Sequence, residues 1–385
     1  MAGAVEIGFA GAGRGIVQRH ISKRPARVIS KVAVRTSAGS RIAGLDLLRL
    51  AAALAVLVFH YCFRGVAGQN LSQVAFPEIA GVAKYGFLGV DLFFMISGFV
   101  IAASAEGRTA WSFAVARAGR LYPAHVVCTT LTALAIALWG IAPHHAGFVQ
   151  WLANLTMAAP VLGQRFMDGA YWSIMLELVF YGWVAVLIGL GLFERRLLDI
   201  VAIWLSLCLL NETVLHIKPL QLLALTEYGP MFASGVLMHR IWRGDSSRMV
   251  WALLAFAAVL ASFHAYEVRS AFAQLYHEPM EVRVLWLLQA GLYGLFAGAL
   301  MASRRITATP LVLALGGITY PLYLLHQNVG YISLGRLEPL IGRWPALVVV
   351  VAGVIAAAWL VWRFAEKPGR GLVMAVAHKL ETLAR

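Results

Sequence analysis

GLDLLRLAAALAVLVFHYCF, residues 44–63, is apolar almost throughout and yet carries Arg49 and His60. Beyond Asp46 the stretch offers these two no polar company. About 20 apolar residues at helical rise cross a bilayer, so the stretch reads as a membrane helix. A guanidinium and an imidazole inside such a helix cost a few kcal/mol or more, which marks both as candidate site residues whose partners must be found. They lie eleven residues apart, so they sit at different depths and do different jobs. The plain alternative is a snorkelling arginine near the helix end and a histidine satisfied by a neighbouring helix.

Composition agrees with a membrane setting. The chain of 385 residues is 61% hydrophobic and 13% charged, with a mean hydropathy of +0.76, which excludes an ordinary soluble enzyme. Cys62, Cys128 and Cys208 fall in or at the ends of apolar segments and suit neither a disulfide framework nor a metal cluster. A net charge of +14 would point to nucleic acid in a soluble protein, but here the positions of the basic residues explain it.

Ten apolar runs are long enough to span: 45–63, 84–104, 121–142, 171–193, 197–215, 221–241, 249–266, 284–302, 311–333 and 345–365. The fold class expected is therefore all-α, a polytopic bundle of about ten transmembrane helices. The run 148–162, broken by Asn154 and Pro160, reads as a re-entrant or interfacial piece. With the N-terminus inside, 23 of the 32 lysines and arginines fall on the inner side and 8 on the outer. That bias predicts both termini in the cytoplasm of a plasma (inner) membrane protein. Residues 1–44 form a basic tail that suits anionic lipid, 45–370 the transmembrane domain, and 371–385 a short inner tail.

Depth then sorts the polar residues. Arg49 lies ~6 Å and His60 ~22 Å above the inner end of the first span. Asp91 lies ~10 Å and Glu177 ~9 Å below the outer face, and His326 ~22 Å above the inner one. Acid and base groups thus occupy the outer half, while Arg49, Arg117 and Arg120 occupy the inner side. An arginine cluster can grip phosphates, and a histidine with a carboxylate in reach can take a proton from a hydroxyl. Buried Asp, Glu and His would equally serve a ten-helix secondary transporter as a proton relay. Depth alone leaves both readings open.

Sequence around these groups separates them. GFLGVDLFFMISGFVI, residues 86–101, joins the arginine–ten–histidine pattern of the first span, and Arg117-Ala-Gly-Arg120 precedes Leu121-Tyr122-Pro123. Further on come Tyr171-Trp172-Ser173 leading to Glu177, Tyr320-Pro321-Leu322-Tyr323 leading to His326, and Glu366-Lys367-Pro368. In that order and spacing the chain resembles the acyltransferase-3 family of membrane-bound O-acyltransferases from Gly44 to Arg370.

The resemblance implies transfer of an acyl group, acetyl above all, from cytoplasmic acyl-CoA to a hydroxyl of an envelope or exported carbohydrate. It implies no permanently bound cofactor; acyl-CoA is a co-substrate. Carried onto this chain, His60 is the expected base, and Arg49, Arg117 and Arg120 the expected donor side. Glu177 and His326 support or orient the base, and Trp172, Ser173 and Tyr323 line the substrate. Asp91 matches too, although a buried partner that ties helices together would read the same way. Either the chain completes the transfer itself, or a partner outside the cytoplasm receives the acyl group.

Other signals carry less. Gly244-Asp245-Ser246-Ser247 reads as a turn of turn-forming residues. Gly11 to Gly15 has no strand before it and reads as tail. His144 and His145 lack partners at metal spacing, so no metal is expected.

Overall fold

The computed structural model describes residues 42–68, 71–140 and 145–383. The basic tail up to residue 41, the Gly11–Gly15 stretch and His144 lie outside the described residues, and residues 43 and 44 of that tail already belong to the first helix. Among those described, every regular element is helical.

Eleven helices carry the architecture, with shorter turns between them. They are α1 (Ala43–Phe59), α2 (Gly89–Ala105), α3 (Ala110–Trp139), α4 (Trp172–Gly189), α5 (Leu197–Leu210) and α6 (Gly229–Trp242). The remainder are α7 (Arg248–Tyr276), α8 (Val282–Ala302), α9 (Pro310–Ile341), α10 (Arg343–Val361) and α11 (Lys367–Leu383). Eight helical stretches are long and apolar enough to cross a membrane. Outward-facing Ile203, Val259, Leu287 and Val348 are each more than 60% exposed, a surface suited to lipid rather than to water.

Two of the ten expected spans differ from a simple crossing. Residues 221–241 do not form one helix. The chain breaks after Leu223, turns through Leu225 at φ +54°, and restarts as α6 with Pro230 in its first turn. At 14 residues α6 reaches only about 21 Å, short of a bilayer core. Gly229 to His239 are all buried, so α6 is an internal helix wrapped by protein. Hydropathy cannot distinguish the two, because a helix enclosed by protein and one enclosed by lipid are equally apolar. The other is α9, 32 residues long with Pro321 and Pro339 inside it, whose Thr319, His326 and Gln327 are buried.

The expected re-entrant piece is a helix at Phe148–Asn154 followed by a 3-10 turn at Ala159–Leu162. The third helix starts before its expected span, so Arg117 and Arg120 ride on α3 one turn apart rather than in the preceding loop. The segment beyond 367 is helical as α11, with Gly369 against Pro123 of α3. The Gly244–Ser247 stretch is a turn in which Arg240 hydrogen-bonds Asp245 at 2.6 Å. That bond holds the Asp245 carboxyl below the usual carboxylate range.

Small residues set the closest approaches. Gly86 and Gly89 lie on the carbonyls of Ala55 and Ala52 in α1, which explains the glycine spacing before Asp91. In the same way Gly98 of α2 rests on the Phe232 carbonyl, and Gly235 of α6 on the Met95 carbonyl. A methyl at either place collides with backbone, which cannot move aside cheaply. Gly235→Val should therefore lower stability by about 1–3 kcal/mol or prevent folding. Gly291→Ala, which meets nothing within 4 Å, should be neutral. Thermal denaturation of the detergent-solubilised variants checks both.

Candidate active site

His60 stands where α1 passes into a π turn, His60–Arg64, and both it and His326 of α9 are buried. The two imidazoles meet edge to face with ring centroids 4.8 Å apart. Nδ1 of His60 is 2.8 Å from the Val56 carbonyl, and Nδ1 of His326 is 2.8 Å from the Tyr323 carbonyl. Carbonyl oxygens only accept, so in the neutral rings both Nδ1 atoms carry the hydrogen. Nε2 of His326, 3.1 Å from Nδ1 of His60, is then the acceptor of that contact. Nε2 of His60 takes no part in these contacts and keeps its lone pair, with the Gln327 side chain in hydrogen-bonding reach of the ring. Such an atom can take a proton.

The dyad is held from behind. Tyr61 donates to the His326 carbonyl at 2.6 Å, and Tyr171 to the Leu324 carbonyl at 3.3 Å. Asp168, fully buried, accepts from the backbone N–H of Ala170 and of Asn328, at 2.9 and 2.8 Å. Asn328 returns a side-chain bond to the Met167 carbonyl at 2.9 Å. The loop before α4 is thereby fastened to the turn that bears His326. Sequence reasoning passed over Asp168; an Asp-Gly pair three residues before Tyr171 is a helix-start signal that could have found it.

The remaining candidates separate. Ser173 and Tyr323 join at 2.7 Å, and Tyr323 packs on the His326 ring at 5.5 Å. Trp172 packs instead on Phe94 and Tyr228. Glu177 accepts from Ser97 at 2.7 Å and from Tyr181 at 2.5 Å, with neither imidazole among these partners. Ser97 of α2 thus holds Glu177 of α4. Asp91, also buried, lies within electrostatic reach of Glu227, Tyr228 and Tyr293.

Glu177 and Tyr181 belong with the arginines. Arg49 pairs with Asp46 at 3.3 Å and lies within electrostatic reach of Glu177, Tyr181 and Arg120. Arg117 lies over the Phe113 ring at 5.9 Å and within electrostatic reach of Tyr181. Arg120 pairs with Glu366, at the end of a second π turn, Trp362–Glu366, and lies over Tyr320. Nε of Arg117, Oδ2 of Asp46 and the Tyr320 hydroxyl are buried without a hydrogen-bond partner. Buried polar atoms left so are costly, and a cluster of them suits a polar ligand. Among the described residues, no group of His, Cys, Asp and Glu is arranged to hold a metal.

Comparison with known proteins fixes the family. The acyltransferase-3 family, described as an acyltransferase domain, matches residues 42–363. The chain belongs to that family. It is a membrane acyltransferase, and the transporter alternative gives way. The acyltransferase is similar to "Nodulation protein 10" of Rhizobium leguminosarum bv. viciae, 26% identical over 85% of this chain and 93% of that protein. It is also similar to "O-acetyl transferase" of Shigella phage Sf6, 23% identical over 84% of this chain and 94% of that protein. No solved structure matches.

His326→Gln keeps an oxygen that can accept from Nδ1 of His60, whereas His326→Leu removes it. The glutamine variant should release thiol from an acyl thioester roughly tenfold faster than the leucine variant, the worth of one net hydrogen bond. Equal rates in the two would reduce His326 to packing.

Proposed function

We propose that this membrane O-acyltransferase moves an acetyl group from cytoplasmic acetyl-CoA to a hydroxyl of an envelope or exported carbohydrate. The observation that carries the reading is the free Nε2 of His60, fixed by the Val56 carbonyl and His326 at one level, with an arginine layer about 16 Å along the same helix. The name of the phage relative supports acetyl as the group.

The donor phosphates bind at Arg49, Arg117 and Arg120. The Tyr320 hydroxyl, buried there without a close partner, supplies a further polar contact. The uncharged pantetheine arm rises between helices, since charge at that depth is costly. Nε2 of His60 removes the proton from the acceptor hydroxyl as its oxygen attacks the thioester carbonyl. The carbon–sulfur bond breaks, a carbon–oxygen bond has formed, and the departing thiolate takes the proton back from the imidazolium. No acyl-enzyme is needed. Glu177 holds the upper side of the arginine layer through Ser97 and Tyr181, and Asp91 ties α2 to its neighbours. Both termini face the cytoplasm, in the plasma (inner) membrane.

His60→Ala should lower turnover by ~10²–10⁴-fold, the usual cost of losing a general base. It should leave acetyl-CoA affinity nearly unchanged. Arg117→Ala should weaken that affinity by about 1.5–3 kcal/mol, as expected for a charged hydrogen bond. Titration of each purified variant in nanodiscs separates the two, and normal donor binding by Arg117→Ala together with its loss in His60→Ala would reverse the layers. A reporter fused after Arg385 should be active only if it functions in the cytoplasm.

A further inference from the structure

Four residues beyond His60, at the end of α1 opposite Arg49, the same π turn closes on Arg64. A π turn spaces hydrogen-bonded residues by five rather than four and is frequent at functional sites. At a spacing of four, His60 and Arg64 fall close to one face of that wide turn. Both imidazoles lie within electrostatic reach of the Arg64 guanidinium.

The guanidinium is held but not used up. Its Nε donates to the Tyr276 hydroxyl of α7 at 3.2 Å, and the Tyr331 hydroxyl of α9 lies beside it. Among the described residues no carboxylate forms an ion pair with it. Asp168, an acid in electrostatic reach, already accepts from two backbone amides. Nη1 of Arg64 is buried and makes no close hydrogen bond, with the Tyr331 hydroxyl in hydrogen-bonding reach of the guanidinium. The Oε1 atom of Gln327, next to His326 in the chain, likewise makes no close hydrogen bond, and the side chain lies in hydrogen-bonding reach of His60. One buried donor and one buried acceptor without a close partner thus lie in reach of the His60 ring, toward the end of α1 away from the donor arginines.

We propose that Arg64 and Gln327 form the acceptor subsite, in which Nη1 takes an oxygen lone pair of a polyhydroxylated ring and Gln327 takes one of its hydroxyl hydrogens. The neighbouring hydroxyl of that ring then faces Nε2 of His60. Carbohydrate fits because its adjacent hydroxyls present lone pairs and hydrogens together, which a simple alcohol or an apolar acceptor does not. Four residues on from His60, Arg64 shares a face of the helix with the base. The proposal rests on the carbohydrate reading given above and specifies how that reading is met.

The test uses the full chain in nanodiscs, with acetyl-CoA as donor and a panel of p-nitrophenyl glycosides as acceptors. Arg64→Gln should raise the acceptor KM roughly ten- to hundredfold, the range for a lost charged hydrogen bond, with the acetyl-CoA KM unmoved. Tyr276→Phe, which frees Nε without removing charge, should raise the acceptor KM by a smaller factor, and it decides the matter if Arg64→Gln does not fold. An unchanged acceptor KM in the variants overturns the subsite and leaves the carbohydrate reading standing. A fall in kcat at constant KM for both substrates also overturns it. Wild-type chain that hydrolyses acetyl-CoA but acetylates none of the glycosides removes the carbohydrate reading, and the subsite with it.

Discussion

One contact between two imidazoles orders this molecule. His60 and His326 are 266 residues apart in the chain and share a hydrogen bond in a region where lipid supplies none. For them to meet, α1 and α9 must lie side by side, and the loop that crosses their outer ends must be tied down. Asp168 and Asn328 do the tying, and Tyr61 braces the backbone of His326. Gly86 and Gly89 bring the start of α2 against the other side of α1. Each of these features would be dispensable if His60 were merely a core histidine, since a core histidine needs one partner and no shared register.

The polar residues are arranged as a seam rather than as one pocket. Along α4, Ser173, Glu177 and Tyr181 recur every four residues on one face. Ser173 touches Tyr323, which packs on His326, while Glu177 and Tyr181 reach toward the arginines. One helix therefore connects the histidine level to the arginine level. Three π turns fall where polar clusters meet the helices: His60–Arg64 at the dyad, Trp362–Glu366 at Arg120, and Asn211–Leu215 at the Glu212–Thr226 pair. Widening a turn shifts the side chains that follow it around the helix axis. It lets a long membrane helix aim a polar group inward without breaking.

Much of this was legible in the sequence, and the rest was hidden for definable reasons. Helical rise placed His60 and His326 at the same height, and they do meet. It placed Asp91 and Glu177 near that height as well, yet their neighbours are elsewhere. Rise gives level along the membrane normal but says nothing of direction around the helix, and direction decided both cases. The short internal helix α6 was read as part of a span because burial in protein and burial in lipid select the same residues. Asp168 and Arg64 were passed over as loop positions; their importance comes from partners more than 100 residues away in the chain, Asn328 and Tyr276.

The seam also bears on why the base is a histidine paired with a histidine rather than with a carboxylate. A carboxylate beside His60 would have to be carried ionised into a nearly dry interior, or lose its charge there. A second neutral imidazole costs far less to bury, because its one hydrogen is absorbed by the Tyr323 carbonyl and its lone pair by Nδ1 of His60. The dyad is thus fully satisfied except at the single atom that faces the reaction. The acidic groups near the arginine layer are kept where cations or hydroxyls already surround them: Asp46 with Arg49, Glu366 with Arg120, Glu177 with Ser97 and Tyr181. Under the proposed function, Arg49, Arg117 and Arg120 sit where a charged donor must arrive, and the neutral base sits where an uncharged acceptor hydroxyl meets the thioester.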